Sequence, residues 1–292
     1  MPREVDQMPM PSEAQRKVKV IVASPSRSGT LGLYLAMQIL GYNTYHIYEC
    51  VAVNGLAHIK VFREAITAQY NQLSGIKRFD RKDCEKWLAG YDCLVEIPSY
   101  MGMDFIEAYA NDPDVKFILT ERSPEKWAKS VNNTAGKVAN MSYQFPFNIL
   151  KYFNSYLYHF LDLNTVVYKA VAGGTEIGDE DNEKMLCKYY EDYIKRAKAT
   201  IPADRLCLIN LEKDDLDWEA ICPFLGVPVP KEKYPGRNEP EKFQALVEGF
   251  LGPKIKSAII RFSFAALATV GALGWTSFKY GPAILEAVKR SS

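Results

Sequence analysis

The sequence has little of what marks a metalloprotein, a secreted protein or a nucleic-acid binder. Of its 292 residues only three are His and six are Cys (Cys50, Cys84, Cys93, Cys187, Cys207, Cys222), with no C-x-x-C pair and no His/Cys cluster. No metal site is expected from them, and Cys93, Cys207 and Cys222 sit inside apolar runs as small hydrophobes. Lys and Arg number 36 against 35 Asp and Glu, a formal net charge of +1. That balance lacks the basic excess of a nucleic-acid partner, so any anion site must be local. The N-terminus, MPREVDQMPMPSEAQRK, lacks the apolar core of a signal peptide. It reads as a polar tail over residues 1–17 and places the folded domain in the reducing cytosol. Internal repeats and a low-complexity linker are also missing.

What is present is a chain long enough for one large core, 48% hydrophobic and 24% charged. Short apolar runs at 18–23, 91–98, 115–121 and 205–210 read as buried strands, the first two stopped by Ser-Pro and by Pro98. Helical patterns lie between them: from Thr30 to Gly41, near 56–74 and 81–89, at 104–110, from Ser123-Pro124 onward, at 183–199, and at 218–225 closed by Gly226. The stretch 141–169, rich in Tyr and Phe, is predicted mostly helical. Strands apolar throughout that alternate with helices predict an α/β domain over 18–250, a mostly parallel sheet covered on both faces.

The far end differs. Within a C-terminal hydrophobic segment, 255–292, the run Phe262–Phe278 carries no charge, follows Lys254, Lys256 and Arg261, and precedes Lys279. As a helix it would span ~26 Å at 1.5 Å per residue, the short edge of what a bilayer requires. A cytoplasmic domain anchored to a membrane through 262–278 is the expectation; a buried C-terminal helix is the alternative.

The most informative stretch is Ser24–Gly32, Ser-Pro-Ser-Arg-Ser-Gly-Thr-Leu-Gly, between the first strand and the first long helix. A helix start leaves backbone N–H groups without partners and favours negative charge. Gly29 permits close backbone approach, Ser28 and Thr30 add hydroxyls, and Arg27 supplies a cationic fork. A phosphate or sulfate group is the expected ligand. The G-x-x-x-x-G-K-[ST] pattern of the nucleoside triphosphatases is absent, which disfavours ATP or GTP hydrolysis and a kinase.

Pro25-x-Arg27-Ser28-Gly29-Thr30 ahead of a long apolar helix resembles the 5′-phosphosulfate loop of the P-loop sulfotransferases. The likeness is nearest to the fungal and other eukaryotic branch, whose loop reads Arg-Thr-Gly-Thr and ends in Leu-Gly, as Leu40-Gly41 does here. A second motif, KFILTERSPEKWAKSV, is a strand, an Arg at its carboxyl end, a Pro-opened helix, and a Ser eight residues after the Arg. In that family the Arg and Ser hold the 3′-phosphate of 3′-phosphoadenosine 5′-phosphosulfate, and the matching residues are Arg122 and Ser130. Arg237, in a looser Pro-x-Arg-Asn likeness, matches an Arg that returns to the same phosphate. The resemblance spans about Lys17 to Phe243 and implies a three-layer α/β sandwich. It also implies a metal-free transfer of a sulfuryl group to an alcohol, phenol or amine. Leu31 and Gly32 depart from the family, which carries a further hydroxyl there.

Such a transfer needs a cation near the leaving phosphate oxygen, donors around the sulfuryl oxygens, and a base. Arg27, with Thr30 and the loop N–H groups, fits the first two tasks. Glu96, at the end of an apolar strand where burial should raise its pKa, is the first candidate base, and His46 the second. Tyr143, Phe145, Phe147, Tyr152, Phe153, Tyr156, Tyr158 and Phe160 are candidates for an apolar acceptor pocket or for core. Two alternatives to the transferase stay open: a non-catalytic nucleotide- or metabolite-binding protein, and an enzyme of this fold turned to another step of metabolite synthesis.

Overall fold

The computed structural model describes residues 2–9, 16–236 and 240–291, and the side chains of these except 240–247 and 283–291. Its frame is one five-stranded sheet: β1 (Val20–Val22), β2 (Thr44–Tyr45), β3 (Cys93–Val95), β4 (Lys116–Glu121) and β5 (Leu206–Asn210), in the order β2-β3-β1-β4-β5. All pairings are parallel, with Val22 opposite both Val95 and Ile118.

The helices follow in chain order. α1 (Glu4–Gln7) precedes the sheet, and α2 (Thr30–Ile39) follows β1. Between β2 and β3 come α3 (Leu56–Tyr70) and α4 (Arg81–Trp87); α5 (Ile97–Met101) and α6 (Met103–Ala110) lead to β4. After β4 come α7 (Pro124–Val131), α8 (Lys137–Met141), α9 (Phe147–Leu150), α10 (Ser155–Val171) and α11 (Asn182–Thr200). α12 (Trp218–Leu225) follows β5, and α13 (Pro240–Ser291) ends the chain.

Period-two alternation sorts the strand side chains between two cores. Ile21, Leu94, Phe117 and Leu119 face a thick helical layer that includes Phe62 and Ile66 of α3 and Leu157 and Leu161 of α10. Val20, Val22, Cys93, Val95 and Ile118 face the thinner layer, where α2 brings Leu33 and Met37 and α12 brings Ile221 and Leu225. The result is the expected α/β three-layer sandwich with a parallel sheet. Each fully buried Leu, Ile or Phe contributes about 1.5–3 kcal/mol relative to an exposed one, so the two faces supply most of the driving force.

Three features differ from the sequence reading. β2 escaped it because two residues carry no periodicity. Pro98 does not stop β3: the strand ends at Val95, Glu96 adopts φ +70°, and Pro98 lies in the first turn of α5. α1 lies inside the segment read as a polar tail, with Val5 fully buried and Arg3 Nη1 bonded to Asp83 Oδ2 at 2.6 Å.

The sheet order also positions the site. β1 lies between β3 and β4, and the chain leaves it first towards β2 and β3, then crosses to β4 and β5. Loops leaving neighbouring carboxyl ends in opposite directions open a crevice there. The segments after β1, β3 and β4 all border it.

Candidate active site

The loop after β1 is held from outside. Ladder bonding ends with Ala23 N–H donating to the Ile118 carbonyl at 2.9 Å. Thr120 of β4 donates its backbone N–H to Ser24 Oγ (2.9 Å) and its hydroxyl to the Ser28 carbonyl (2.6 Å). Trp127 Nε1 of α7 donates to the Ser26 carbonyl at 2.7 Å, and Arg122 Nη1 to the Arg27 carbonyl at 2.6 Å. These bonds fix the loop's shape. Gly29, at φ +78°, is the N-cap of α2, and a Cβ there would stand 3.1 Å from Leu216 Cδ2. Gly suits this left-handed, crowded position, where any side chain would be strained, and it leaves the helix amides without a side-chain cap.

Arg27 is left-handed too, at φ +68°. For a non-Gly residue that costs about 1–3 kcal/mol and needs support from its surroundings. Arg122 supplies it through the carbonyl bond, and Arg27 Nε reaches Ser130 Oγ at 3.3 Å. The two motifs, β1–loop–α2 and β4–α7, thus bring Arg27, Arg122 and Ser130 together. Burial pulls the Arg122 pKa below its ordinary value, and an anion at such a half-buried cation is poorly screened by salt.

Beside this lies a buried carboxylate. Glu96 is 3% exposed. Its Oε2 accepts from Thr30 Oγ1 at 2.8 Å and lies 2.7 Å from His46 Nε2. The Tyr48 backbone N–H donates to His46 Nδ1 at 3.2 Å, which leaves Nε2 as the nitrogen that donates to Glu96. Tyr34, whose hydroxyl donates to Glu49 Oε1, stacks on the imidazole with centroids 5.0 Å apart. His46 is therefore held on one edge, one face and its far nitrogen. The expectation of a raised Glu96 pKa is overturned. Burial raises it, but the charge and hydrogen bond of His46 and the hydroxyls of Ser26 and Thr30 outweigh burial and hold it below the usual carboxylate range. The Thr30 hydroxyl, expected on the anion, is bonded to Glu96.

Loop, carboxylate and cations open into one cleft of about 890 Å³. Arg27, Gly29, Thr30, Leu31, His46, Glu96, Arg122 and Ser130 line its polar part. Val51, Phe62, Phe147, Leu157, Phe160, Leu161, Phe250 and Leu251 line an apolar chamber beyond. Of the aromatics proposed for a pocket, Phe147 and Phe160 line it, whereas Tyr143 (52%), Phe145 (80%) and Tyr152 (70%) are exposed. His58, drawn down to about 4 by burial, accepts from Trp87 Nε1 and is not part of the lining.

Residues 19–243 match the family described as "Sulfotransferase domain". The chain belongs to this family. Among curated proteins, "Ava biosynthesis cluster protein M" of Aspergillus versicolor is similar, 28% identical over 219 residues, 75% of this chain and 80% of that protein. Among solved structures, a sulfotransferase from Alicyclobacillus acidocaldarius is similar with a TM-score of 0.37 and 14% identity, covering 83% of this chain and 94% of that one.

Within this sulfotransferase domain the two sequence motifs supply Arg27, Gly29, Thr30, Arg122 and Ser130 to the cleft, while Arg237 lies outside the described residues. Ser28 is fully buried under the loop, with its carbonyl held by Thr120. Among the described residues, no group of three or more His, Cys, Asp or Glu is placed to hold a metal ion. Sequence reasoning missed Ser26, Tyr100, Lys126, Asn133 and Glu212, all of which line the cleft. Ser26 and Lys126 lie inside the two motifs and so were within reach. The others, Tyr100 in α5, Asn133 just past α7 and Glu212 in a single 3-10 turn after β5, belong to short helical segments that no local pattern announces. The walls given by Phe250 and Leu251 were also unforeseen, since α13 was read as starting beyond the domain.

Proposed function

We propose that this sulfotransferase domain moves a sulfuryl group from 3′-phosphoadenosine 5′-phosphosulfate to a hydroxyl or amine of a lipophilic small molecule. The observation that carries the reading is a single cleft with Arg27, Arg122 and Ser130 at one end, Glu96–His46 beside them, and an apolar chamber beyond. The 5′-phosphosulfate would sit on the loop and the start of α2, the 3′-phosphate between Arg122 and Ser130, with Arg237 as a further cation. The acceptor oxygen or nitrogen bonds to sulfur while the bond from sulfur to the 5′-phosphate oxygen breaks, leaving 3′-phosphoadenosine 5′-phosphate. Arg27 and the loop amides stabilise charge on the sulfuryl and leaving oxygens. Glu96, ionised at neutral pH, takes the acceptor proton; His46 and Thr30 orient it.

The test is calorimetry with 3′-phosphoadenosine 5′-phosphate on wild type and Arg122→Ala. Binding that weakens about 10- to 100-fold in the variant, the equivalent of losing a charged hydrogen bond, supports the reading. No binding to wild type sinks it. A second reading, a sulfotransferase-fold protein that binds nucleotide or metabolite without sulfuryl transfer, or performs another step, is favoured by one observation. Thr30 is committed to Glu96, and Leu31 brings no hydroxyl to the cleft it lines. Nucleotide binding without sulfate transfer to any acceptor would select it.

The C-terminal segment supports a membrane anchor on a cytoplasmic domain. In α13 the stretch Glu248–Pro282 is 35 residues long and contains an 18-residue window of mean hydropathy 1.5, long and apolar enough to cross a bilayer, of which 6% is buried. A buried core helix would be mostly covered. Full-length protein should stay with membranes through alkaline carbonate extraction; release into the supernatant would refute the anchor.

A further inference from the structure

We propose that the acceptor reaches this cleft from a lipid bilayer, as an amphiphile whose apolar body lies in the membrane while its hydroxyl or amine reaches Glu96. The inference rests on the sulfuryl-transfer reading for the chemistry at Glu96; its route of entry rests on two other observations.

The first is that one helix serves both cleft and anchor. Phe250 and Leu251 of α13 line the chamber, and Phe250 packs against Phe160 with ring centroids 5.9 Å apart. Further along, Lys254 lies over the Tyr156 ring at 5.3 Å and Phe262 meets Phe153 edge-on at 5.3 Å. Beyond that the helix leaves the domain, with Phe264, Leu267, Val270 and Phe278 between 68% and 85% exposed. The uncharged stretch begins at Phe262, ~18 Å along the axis from Phe250 at 1.5 Å per residue. Because the helix is continuous, no linker separates the cleft wall from the span, and the chamber is held close to the membrane surface.

The second observation is an aromatic apron on a different part of the chain. Met141 and Phe147 line the cleft, while Phe145 and Tyr152 of the same stretch are 80% and 70% exposed. Lys151 Nζ lies over the rings of both Tyr143 (5.7 Å) and Tyr152 (5.5 Å). Its ammonium also donates to the Ser142 carbonyl at 2.9 Å, which pins this exposed aromatic cluster in place, and exposed Tyr and Phe of this kind suit a membrane–water boundary. Phe153, next to this apron, is the residue that touches Phe262. The apron therefore lies at the level where the apolar stretch of α13 begins, and its other side is chamber wall.

Lipid fits this surface better than a protein groove. A groove would take one stripe of α13, but residues 262–280 are exposed around the whole circumference, Ala266 being the one intermediate position. Lys254, Lys256 and Arg261 before the stretch and Lys279 after it bracket the apolar length.

The experiment uses full-length protein in phosphatidylcholine vesicles containing hexadecanol with a diazirine on its chain, irradiated and mapped by mass spectrometry. Labels are expected on residues 262–282 and also on Met141, Phe147 and Phe250. The double variant Phe145→Glu, Tyr152→Glu, at exposed positions outside the cleft lining, should fold normally by circular dichroism. It should lose about tenfold of the cleft label, because charge draws the apron out of the interface. A short diazirine alcohol dissolved in water should label the cleft of both proteins equally. Protein that stays out of the vesicles, labels confined to 262–282, or an undiminished cleft label in the variant overturns the proposal. Failure of the sulfuryl-transfer reading registers separately, as absent binding of 3′-phosphoadenosine 5′-phosphate with the label pattern intact.

Discussion

Thr30, the first residue of the helix behind the loop, donates its hydroxyl to Glu96 Oε2 at 2.8 Å across 66 residues of sequence. His46 Nε2 shares the same oxygen at 2.7 Å. This pair of bonds ties the loop to the carboxylate, so what perturbs one perturbs the other.

Replacing Thr30 with Val removes one donor from a buried anion. Glu96, held below its usual range by His46, Ser26 and Thr30 against the opposing effect of burial, should then titrate at higher pH. The acid limb of the kcat/KM profile should move upward in pH, and stability should fall by about 1–3 kcal/mol. An acid limb identical to that of wild type would show that the Thr30 bond does not act on Glu96.

The same lowered pKa predicts a pH dependence of stability. The Glu96 contribution is fully present above the unfolded-state value near 4.5 and is lost as pH falls through the lower folded value. Urea titrations of wild type and Glu96→Gln should converge below that window and diverge above it, wild type being the more stable. Parallel curves from pH 3 to 7 would contradict this.

His46→Ala should lower kcat by about 10²- to 10⁴-fold, the range for a group that orients or assists a proton acceptor. Binding of 3′-phosphoadenosine 5′-phosphate should change little, because the proposed function places the nucleotide on Arg27, Arg122 and Ser130 rather than on His46. A loss of nucleotide affinity as large as the loss of turnover would assign His46 to structure.

Gly29→Ala places a side chain at φ +78° with its Cβ 3.1 Å from Leu216 Cδ2. The left-handed conformation alone costs about 1–2 kcal/mol, and Leu216 must also shift. Differential scanning calorimetry should show a lower Tm, and nucleotide binding should weaken because the loop's approach distance changes. Unchanged values of both would mean the loop adapts freely.

Leu31→Thr restores a hydroxyl at a position that borders the cleft. A gained hydrogen bond of about 1 kcal/mol predicts roughly fivefold tighter binding of the nucleotide by calorimetry. Weaker binding would show that Leu31 serves the core formed with α12, against which it packs.

What the sequence determined was local. The runs around β1 and β4 are apolar on both faces because both faces are covered, and Gly29, Pro124 and Gly226 punctuate the helices by backbone geometry that single residues impose. Arg27 was legible from its place in a strand-to-helix loop, and Arg122 and Ser130 from the resemblance of the strand–helix motif that carries them. Other features belonged to the tertiary structure alone. Whether Glu96 is raised or lowered depends on His46 and Thr30, which β2 and α2 bring to it from different parts of the chain. His46 stood out as a candidate base, but a two-residue strand gave no signal that it meets Glu96, and no periodicity tells which aromatics between 141 and 160 face the cleft and which face outward. The wall that α13 contributes was hidden likewise, because composition marks a helix as apolar but not where it first touches the domain. Sequence periodicity reports which faces are buried; which groups share a cavity is decided by the order of strands in the sheet.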